Sequence, residues 1–103
     1  MADKLTENER AVLNLIHKGA ENAISCRDVE MLTGLDRRVV HQTVYDLNLK
    51  GVTVASNSFG YFLPVSPMEW REYYHALAGS HVQRARRLTA IKDAAEREGI
   101  SLE

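Results

Sequence analysis

The segment SCRDVEMLTGLDRRVVHQTVYDLNLKGVTVASNSFGYFL (residues 25–63) decides the fold of this chain of 103 residues. Ser25 stands three residues before Asp28, which is the spacing of a helix-capping box, so a helix is predicted to begin near Cys26. Gly34 can take the left-handed conformation that ends a helix. The segment therefore opens with a short helix and a tight turn.

A second helix is predicted directly after this turn, from about Arg37 to Lys50. Asp36 can cap its start, and Lys50 with Gly51 supplies an end signal. At about 100° per residue, one side of this helix is apolar and the other polar. The apolar side carries Val40, Val44 and Leu47 with Thr43 at its edge, and the polar side carries Arg38, His41, Gln42 and Tyr45. Such a polar side can reach base edges and phosphates in a DNA major groove, or it can simply face solvent.

Residues 52–63 are predicted to form two paired strands, because their side chains alternate with a period of two. Val52 and Val54 alternate with Thr53 and Ala55, and Tyr61 and Leu63 alternate around Phe62. Residues 56–60 would form the loop, in which Asn57 and Gly60 tolerate positive φ. This stretch contains no lysine or arginine. Any contact of its tip with a phosphate backbone would therefore come from hydroxyls, amides or Phe59.

Residues 5–63 resemble the winged helix-turn-helix domains of small bacterial and phage DNA-binding proteins. The resemblance rests on Ser25-Cys-Arg-Asp-Val, Thr33-Gly-Leu-Asp-Arg-Arg-Val-Val, Leu47-Asn-Leu-Lys-Gly51 and Ser56-Asn-Ser-Phe-Gly-Tyr-Phe-Leu63. It implies a mainly α fold with a small β-hairpin wing, whose second motif helix enters the major groove. By position it assigns recognition to Arg37, Arg38, His41, Gln42 and Tyr45. Apart from the resemblance, Arg37 and Lys50 are expected to hold the DNA backbone, and Asn57 and Ser58 could contact it from the tip of the hairpin. Leu49 departs from the pattern, because a polar residue is usual there.

The composition indicates one soluble globular chain, with 45% hydrophobic and 26% charged residues. No apolar run approaches the roughly 20 residues that span a bilayer, and the first residues lack the apolar core of a secretory signal. We therefore expect a cytoplasmic protein. The lone Cys26 cannot form an internal disulfide and is expected to serve packing.

The charge is unevenly distributed, although the formal net charge is only -1. Residues 1–36 hold four basic and seven acidic side chains, whereas residues 37–63 hold three basic and one acidic. The predicted reading helix is thus locally positive, which favours phosphate contacts. A second basic patch carries Arg84, Arg86, Arg87 and Lys92, and it could contact phosphates or be a solvated helix side.

A first helix is predicted before the motif, because Thr6 and Glu9 have the spacing of a capping box. Its apolar stripe is formed by Val12, Leu15 and Ile16, and it is expected to end near Lys18 and Gly19. Ile24 could add a short strand to the hairpin.

Residues 64–103 are predicted to form a separate part of the chain, a long C-terminal helix beginning at Pro67 after the Ser66 and Glu69 capping box. Unbroken to Glu98, it would be about 48 Å long. Trp70, Tyr73, Tyr74 and Leu77 could pack on residues 1–63, while an apolar stripe of Val82, Ala85, Leu88, Ile91 and Ala95 would lie beyond them. A stripe without an internal partner predicts a homodimer through a short coiled coil.

The competing interpretation ends this helix at Gly79 and starts another with a Ser80 and Gln83 capping box. The result would be a helical hairpin that folds back on its own domain. The continuous helix is preferred, since an interior glycine costs only about 1 kcal/mol.

Two functional hypotheses follow. The first is a dimeric, sequence-specific binder of double-stranded DNA, acting as a transcriptional regulator or as a phage-type replication or packaging accessory. The second is an adaptor that binds a protein through the winged fold and the C-terminal helix. An enzyme is not expected, because the sequence lacks a phosphate loop and any histidine or cysteine spacing that would hold a metal; no cofactor is predicted.

Overall fold

The computed structural model describes the backbone of residues 4–79 and 85–102, and the side chains of all of these except 78, 79, 85 and 86. The predicted mainly α fold with a small hairpin is confirmed. In chain order the elements are α1 (Glu7–Leu13), a 3-10 helix (Ala20–Asn22), α2 (Cys26–Thr33), α3 (Arg37–Leu49), β1 (Ala55–Asn57), β2 (Gly60–Phe62), α4 (Pro67–Gly79) and α5 (Ala85–Arg97). None of the described helices combines the length and hydropathy needed to cross a membrane.

Helix α1 has the predicted capping box but is shorter than predicted. The Thr6 hydroxyl accepts from the Glu9 N–H, and the Glu9 carboxylate accepts from the Thr6 N–H. The helix ends at Leu13, so the predicted end near Lys18 and Gly19 is wrong. The physical reason is long-range pairing: Leu63 donates to the His17 carbonyl, and its own carbonyl accepts from Gly19. These backbone groups are therefore used between segments and not within a helix.

Helices α2 and α3 begin and end where the sequence predicts. Ser25 caps α2 through its hydroxyl, and Gly34 ends the helix at a φ of 78°. Asp36 caps α3 by accepting from the Val39 N–H at 3.0 Å. The buried side of α3 belongs to a first hydrophobic cluster, whose fully or nearly fully buried members are Val12, Ile16, Val29, Val40, Val44, Leu47 and Val54.

The hairpin is confirmed as an antiparallel pair, but its strands are shorter than predicted. Ala55 pairs with Phe62 and Asn57 with Gly60, which leaves a two-residue turn. Residues 52–54 lie outside β1 because Val54 pairs with a side chain: its N–H donates to the Asn48 carboxamide oxygen, and its carbonyl accepts from the same carboxamide. Ile24 forms the predicted extra bridge, to Tyr61.

The preferred continuous C-terminal helix is wrong, because α4 and α5 are separate helices that pack against each other. Trp70 and Leu77 share a second hydrophobic cluster with Ile91 and Ala95. In one straight helix Trp70 and Ile91 would lie about 32 Å apart. The chain therefore folds back, which covers the described part of the apolar stripe from within. Ser80, His81, Val82, Gln83 and Arg84 lie outside the described residues, as does the side chain of Ala85.

The start of α4 is fixed by Glu69. Its carboxylate accepts from the Val65 N–H at 2.8 Å and from the Ala20 N–H at 2.9 Å, while Ser66 caps the helix through its hydroxyl. Burial raises the pKa of Glu69, but these backbone hydrogen bonds outweigh it and hold the pKa below the usual 4.5. One carboxylate thus joins α4 to the segment before α2.

The end of α3 is joined to the start of α1 through Lys50 and Glu9. The Lys50 ammonium lies 2.7 Å from Glu9 Oε1 and also donates to the Lys4 carbonyl. Burial raises the pKa of Glu9, but hydrogen bonds from Lys50 and from the Thr6 backbone outweigh it, so the pKa lies below 4.5. The ionised form of Glu9 therefore stabilises the folded chain.

The Glu9→Gln variant is expected to lose stability mainly at neutral pH. A depressed carboxyl pKa contributes stability that is present above the unfolded value near 4.5 and lost as the pH falls through the folded value. The difference from wild type in free energy of unfolding should be about 1 kcal/mol at pH 7 and should shrink on acidification. Urea unfolding across this range measures it, with the exposed Glu72→Gln as control. A difference independent of pH would contradict the role given to the ionised carboxylate.

Candidate functional site

The candidate site is the exposed side of the first turns of α3. Arg37, Arg38, His41 and Gln42 are all exposed there, while Val40 between them is fully buried. Asp36 fixes the first turn, so these side chains project from a capped, ordered helix end. The division into a buried and an exposed side agrees with the helical spacing of the sequence.

These side chains line one open depression of about 650 Å³. Its lining residues are Arg37, Arg38, His41, Gln42, Tyr45 and Arg87. Five of the eight predicted site residues are thus brought together, and no carboxylate lies among the residues that line the depression. The surface concentrates positive charge and hydrogen-bond donors, which suits an anionic ligand.

Two acidic residues lie at the margin of this surface. Arg37 Nε is 3.9 Å from Glu30 Oε2, but the Arg37 side chain is 71% exposed, so solvent leaves this ion pair weak. Gln42 donates to Asp46 Oδ1 at 2.9 Å, one turn further along α3. Neither contact neutralises Arg38. The Gln42 amide uses one N–H in this hydrogen bond, in which its second N–H and its oxygen take no part.

Arg87 is the member of the surface that comes from outside the motif. Its guanidinium carbon lies 5.4 Å from the centre of the Tyr45 ring, within the range of a cation–π contact. The sequence places Arg87 in a basic patch but does not predict which surface of the fold this patch belongs to. Of that patch, Lys92 is exposed and lines a different depression, with His75 and Glu96. Arg84 and the side chain of Arg86 lie outside the described part of the chain.

Helix α5 explains the apolar Leu49 on the outward side of α3. Leu49 lines a depression together with Thr89, Ala90 and Asp93 of α5. The last turns of α3 therefore face α5, while only the first turns are open. Leu49 thus lies beside α5, and it is not among the residues that line the open surface.

Lys50 does not belong to the candidate surface. Its ammonium is engaged by Glu9 Oε1 and the Lys4 carbonyl, and its side chain is 23% exposed. Glu9 is 41 residues away along the chain, so no local sequence pattern predicts the contact. The structure thus shows Lys50 joining α1 to α3, and its contact with the DNA backbone stays a prediction.

Asn57 and Ser58 lie at the exposed tip of the hairpin, outside the depression on α3. The Asn57 carboxamide oxygen accepts from the N–H groups of Phe59 and Gly60, at 2.8 and 3.1 Å. This fixes the turn and occupies the acceptor of Asn57. Phe59 beside them is 76% exposed. The tip therefore offers a hydroxyl, an amide donor and an aromatic ring.

Cys26 is held in its thiol form. Burial and a contact of its sulfur with the Glu30 carboxylate, 3.6 Å away, raise its pKa. Burial also raises the pKa of the neighbouring Tyr61. A protonated thiol is a poor nucleophile and metal ligand. Cys26 packs against the first hydrophobic cluster, as expected.

No group of three or more histidine, cysteine or acidic side chains suited to a metal ion occurs within residues 4–79 and 85–102. Comparisons of the chain with protein-family models, with curated proteins and with solved structures found no match.

Proposed function

We propose that this chain is a cytoplasmic, sequence-specific binder of double-stranded DNA and not an enzyme. In this proposal residues 5–63 act as a winged helix-turn-helix, with α3 in the major groove and the hairpin as the wing. It would serve as a transcriptional regulator or as a phage-type replication or packaging accessory. The observation that carries the proposal is the open surface on α3, whose lining includes Arg37, Arg38 and Arg87 and no carboxylate.

The position of these side chains along α3 supports the proposal. In helix-turn-helix proteins, the N-terminal residues of the recognition helix contact the base edges. Arg38, His41 and Gln42 lie on the open first turns, and arginine and glutamine suit guanine and adenine edges. Arg37 would contact the backbone, and Asn57 and Ser58 could do so from the hairpin. For contacts with phosphates, the positive charge of this surface matters more than the net charge of -1 of the whole chain.

Homodimerisation stays a prediction of this proposal, but on a different basis. The apolar stripe that suggested it is covered internally where it is described, since Ile91 and Ala95 are fully buried. Two copies on two half-sites would still double the contacts of a small basic surface. Light scattering with and without duplex DNA measures the oligomeric state.

The second candidate is a protein-binding adaptor, which is favoured by exposed apolar side chains on other surfaces. Met31 and Leu32 of α2 are 73% and 66% exposed, and Met68 of α4 is 65% exposed. Apolar exposure of this extent is typical of protein contacts. An apolar interface depends little on salt, whereas phosphate contacts make log K fall with log salt by about 0.9 for each contact.

The Arg38→Ala/Gln42→Ala double variant tests the proposed DNA surface. A sequence enriched from random duplexes by the wild-type protein should bind the variant about 100-fold more weakly, since two base contacts are lost. Both residues are exposed, so the circular dichroism spectrum should be unchanged. Lys92→Ala removes one charge elsewhere and should bind like wild type.

The outcome also separates the two candidates. Unchanged binding by the double variant would discard this side of α3 as the reading surface. Failure of the wild-type protein to bind any duplex at low salt would favour the adaptor.

A further inference from the structure

The positive surface joins two parts of the chain that lie far apart in sequence. Arg37 and Arg38 come from the first turn of α3, whereas Arg87 comes from α5. All three line the same depression, with Tyr45 between the two helices in contact with Arg87. The C-terminal helical pair is therefore part of the same surface as the motif helix.

The charge of Arg87 is not neutralised within the described residues. It forms no ion pair with a described carboxylate, and its Nε atom is buried without a hydrogen-bond partner there. The cation–π contact with Tyr45 places the guanidinium beside the ring but supplies no counter-charge. A half-buried guanidinium that lines an open depression without a counter-charge favours an anionic acceptor in that depression.

We propose that Arg87 is a phosphate-binding residue of the DNA interface and that Tyr45 is its positioning residue, an inference that rests on the proposed function. A helix in the major groove is flanked by both phosphate backbones, and an adjoining element reaches the backbone and not the bases. Helix α5 is such an adjoining element, because it packs against α3 and contributes Arg87 to the depression at the open turns of α3. Tyr45 then supports Arg87 and does not read a base, which differs from the role implied by the family resemblance.

The test is the salt dependence of binding to a fluorescent pool of random-sequence duplex DNA. Arg87→Gln should weaken binding about tenfold at low salt and reduce the slope of log K against log salt by about 1. The loss should be the same for the enriched sequence, because a phosphate contact carries no sequence information. Lys92→Gln is the matched control: it removes one charge from the exposed side of the same helix and should leave the slope unchanged.

Two further variants examine Tyr45. Tyr45→Phe retains the ring and should bind like wild type, whereas Tyr45→Leu should weaken binding roughly threefold and flatten the salt slope. When Arg87 is already glutamine, Tyr45→Leu should have no further effect. A purely structural role of Tyr45 would lower binding equally in both backgrounds. Circular dichroism of each variant shows whether the fold is kept.

The outcomes distinguish this inference from the proposed function. An unchanged slope in Arg87→Gln, with binding of the enriched sequence lost in Arg38→Ala/Gln42→Ala, overturns the role of Arg87 alone. A wild-type protein that shows no salt-dependent binding to duplex DNA overturns both. Binding to polyglutamate as tight as to duplex DNA also overturns the inference, because it would assign the surface to an acidic polypeptide.

Discussion

Replacing Gly60 by alanine is expected to lower the free energy of unfolding by at least about 3 kcal/mol. Gly60 has a φ of 138°, a backbone conformation that residues with a side chain rarely adopt. An added Cβ would also collide with the carbonyl oxygen of Ile24. That carbonyl accepts from the Tyr61 N–H at 2.7 Å, so it cannot move aside without breaking the bridge to the hairpin. Urea unfolding of the purified variant measures the loss.

Gly34→Ala is the matched control for this variant. Gly34 also has a positive φ, of 78°, but a Cβ there would meet nothing within 4 Å. Its substitution should cost only the backbone strain, about 1 to 2 kcal/mol. The difference between the variants isolates the collision with Ile24. Equal losses would show that the hairpin moves away from residue 24 at little cost.

Asn48→Leu is expected to cost about 2 to 4 kcal/mol, because it keeps the branching of this fully buried side chain but removes its polar atoms. The Asn48 carboxamide donates to the Val54 carbonyl at 3.3 Å and accepts from the Val54 N–H at 3.2 Å. Leucine would leave both buried backbone groups without a partner. Thermal or urea unfolding gives the loss, and hydrogen exchange of the Val54 N–H should show protection in wild type and not in the variant.

Thr43→Val is the matched control on the same helix. Thr43 is also buried, but its hydroxyl donates only to the Val39 carbonyl within α3. Valine has nearly the same shape and leaves no group of another segment unpaired, so the loss should stay below about 1 kcal/mol. An Asn48→Leu variant as stable as Thr43→Val would mean that the contact with residue 54 contributes little.

The helix boundaries within the motif were predictable because their signals are local. Ser25, Gly34 and Asp36 act on backbone groups within four residues of themselves, which a spacing rule captures. The exposed side of α3 was predictable for the same reason, since it depends only on the angle per residue. These signals located Arg38 and Gln42 correctly on the open surface.

The contacts that the sequence did not predict join residues far apart along the chain. Lys50 was predicted to contact the DNA backbone, and the structure shows that it pairs with Glu9. Arg87 reaches Tyr45 from another helix. Local signals offered the end of α4 at Gly79 only as an alternative, and they could not decide between it and a continuous helix. The cost of an interior glycine is about 1 kcal/mol, whereas burial of a side chain such as Ile91 contributes about 1.5 to 3 kcal/mol. Packing of α5 therefore decides the path of the chain.

Helix α3 packs against α1, α2 and α5, and only its first turns remain open. Its backbone therefore loses its conformational freedom when the chain folds, before any partner arrives. A helix ordered in advance sacrifices little entropy on association, so a larger share of each contact appears as affinity. The fold thus presents its arginines on a pre-organised support, and only the long side chains themselves have still to be immobilised.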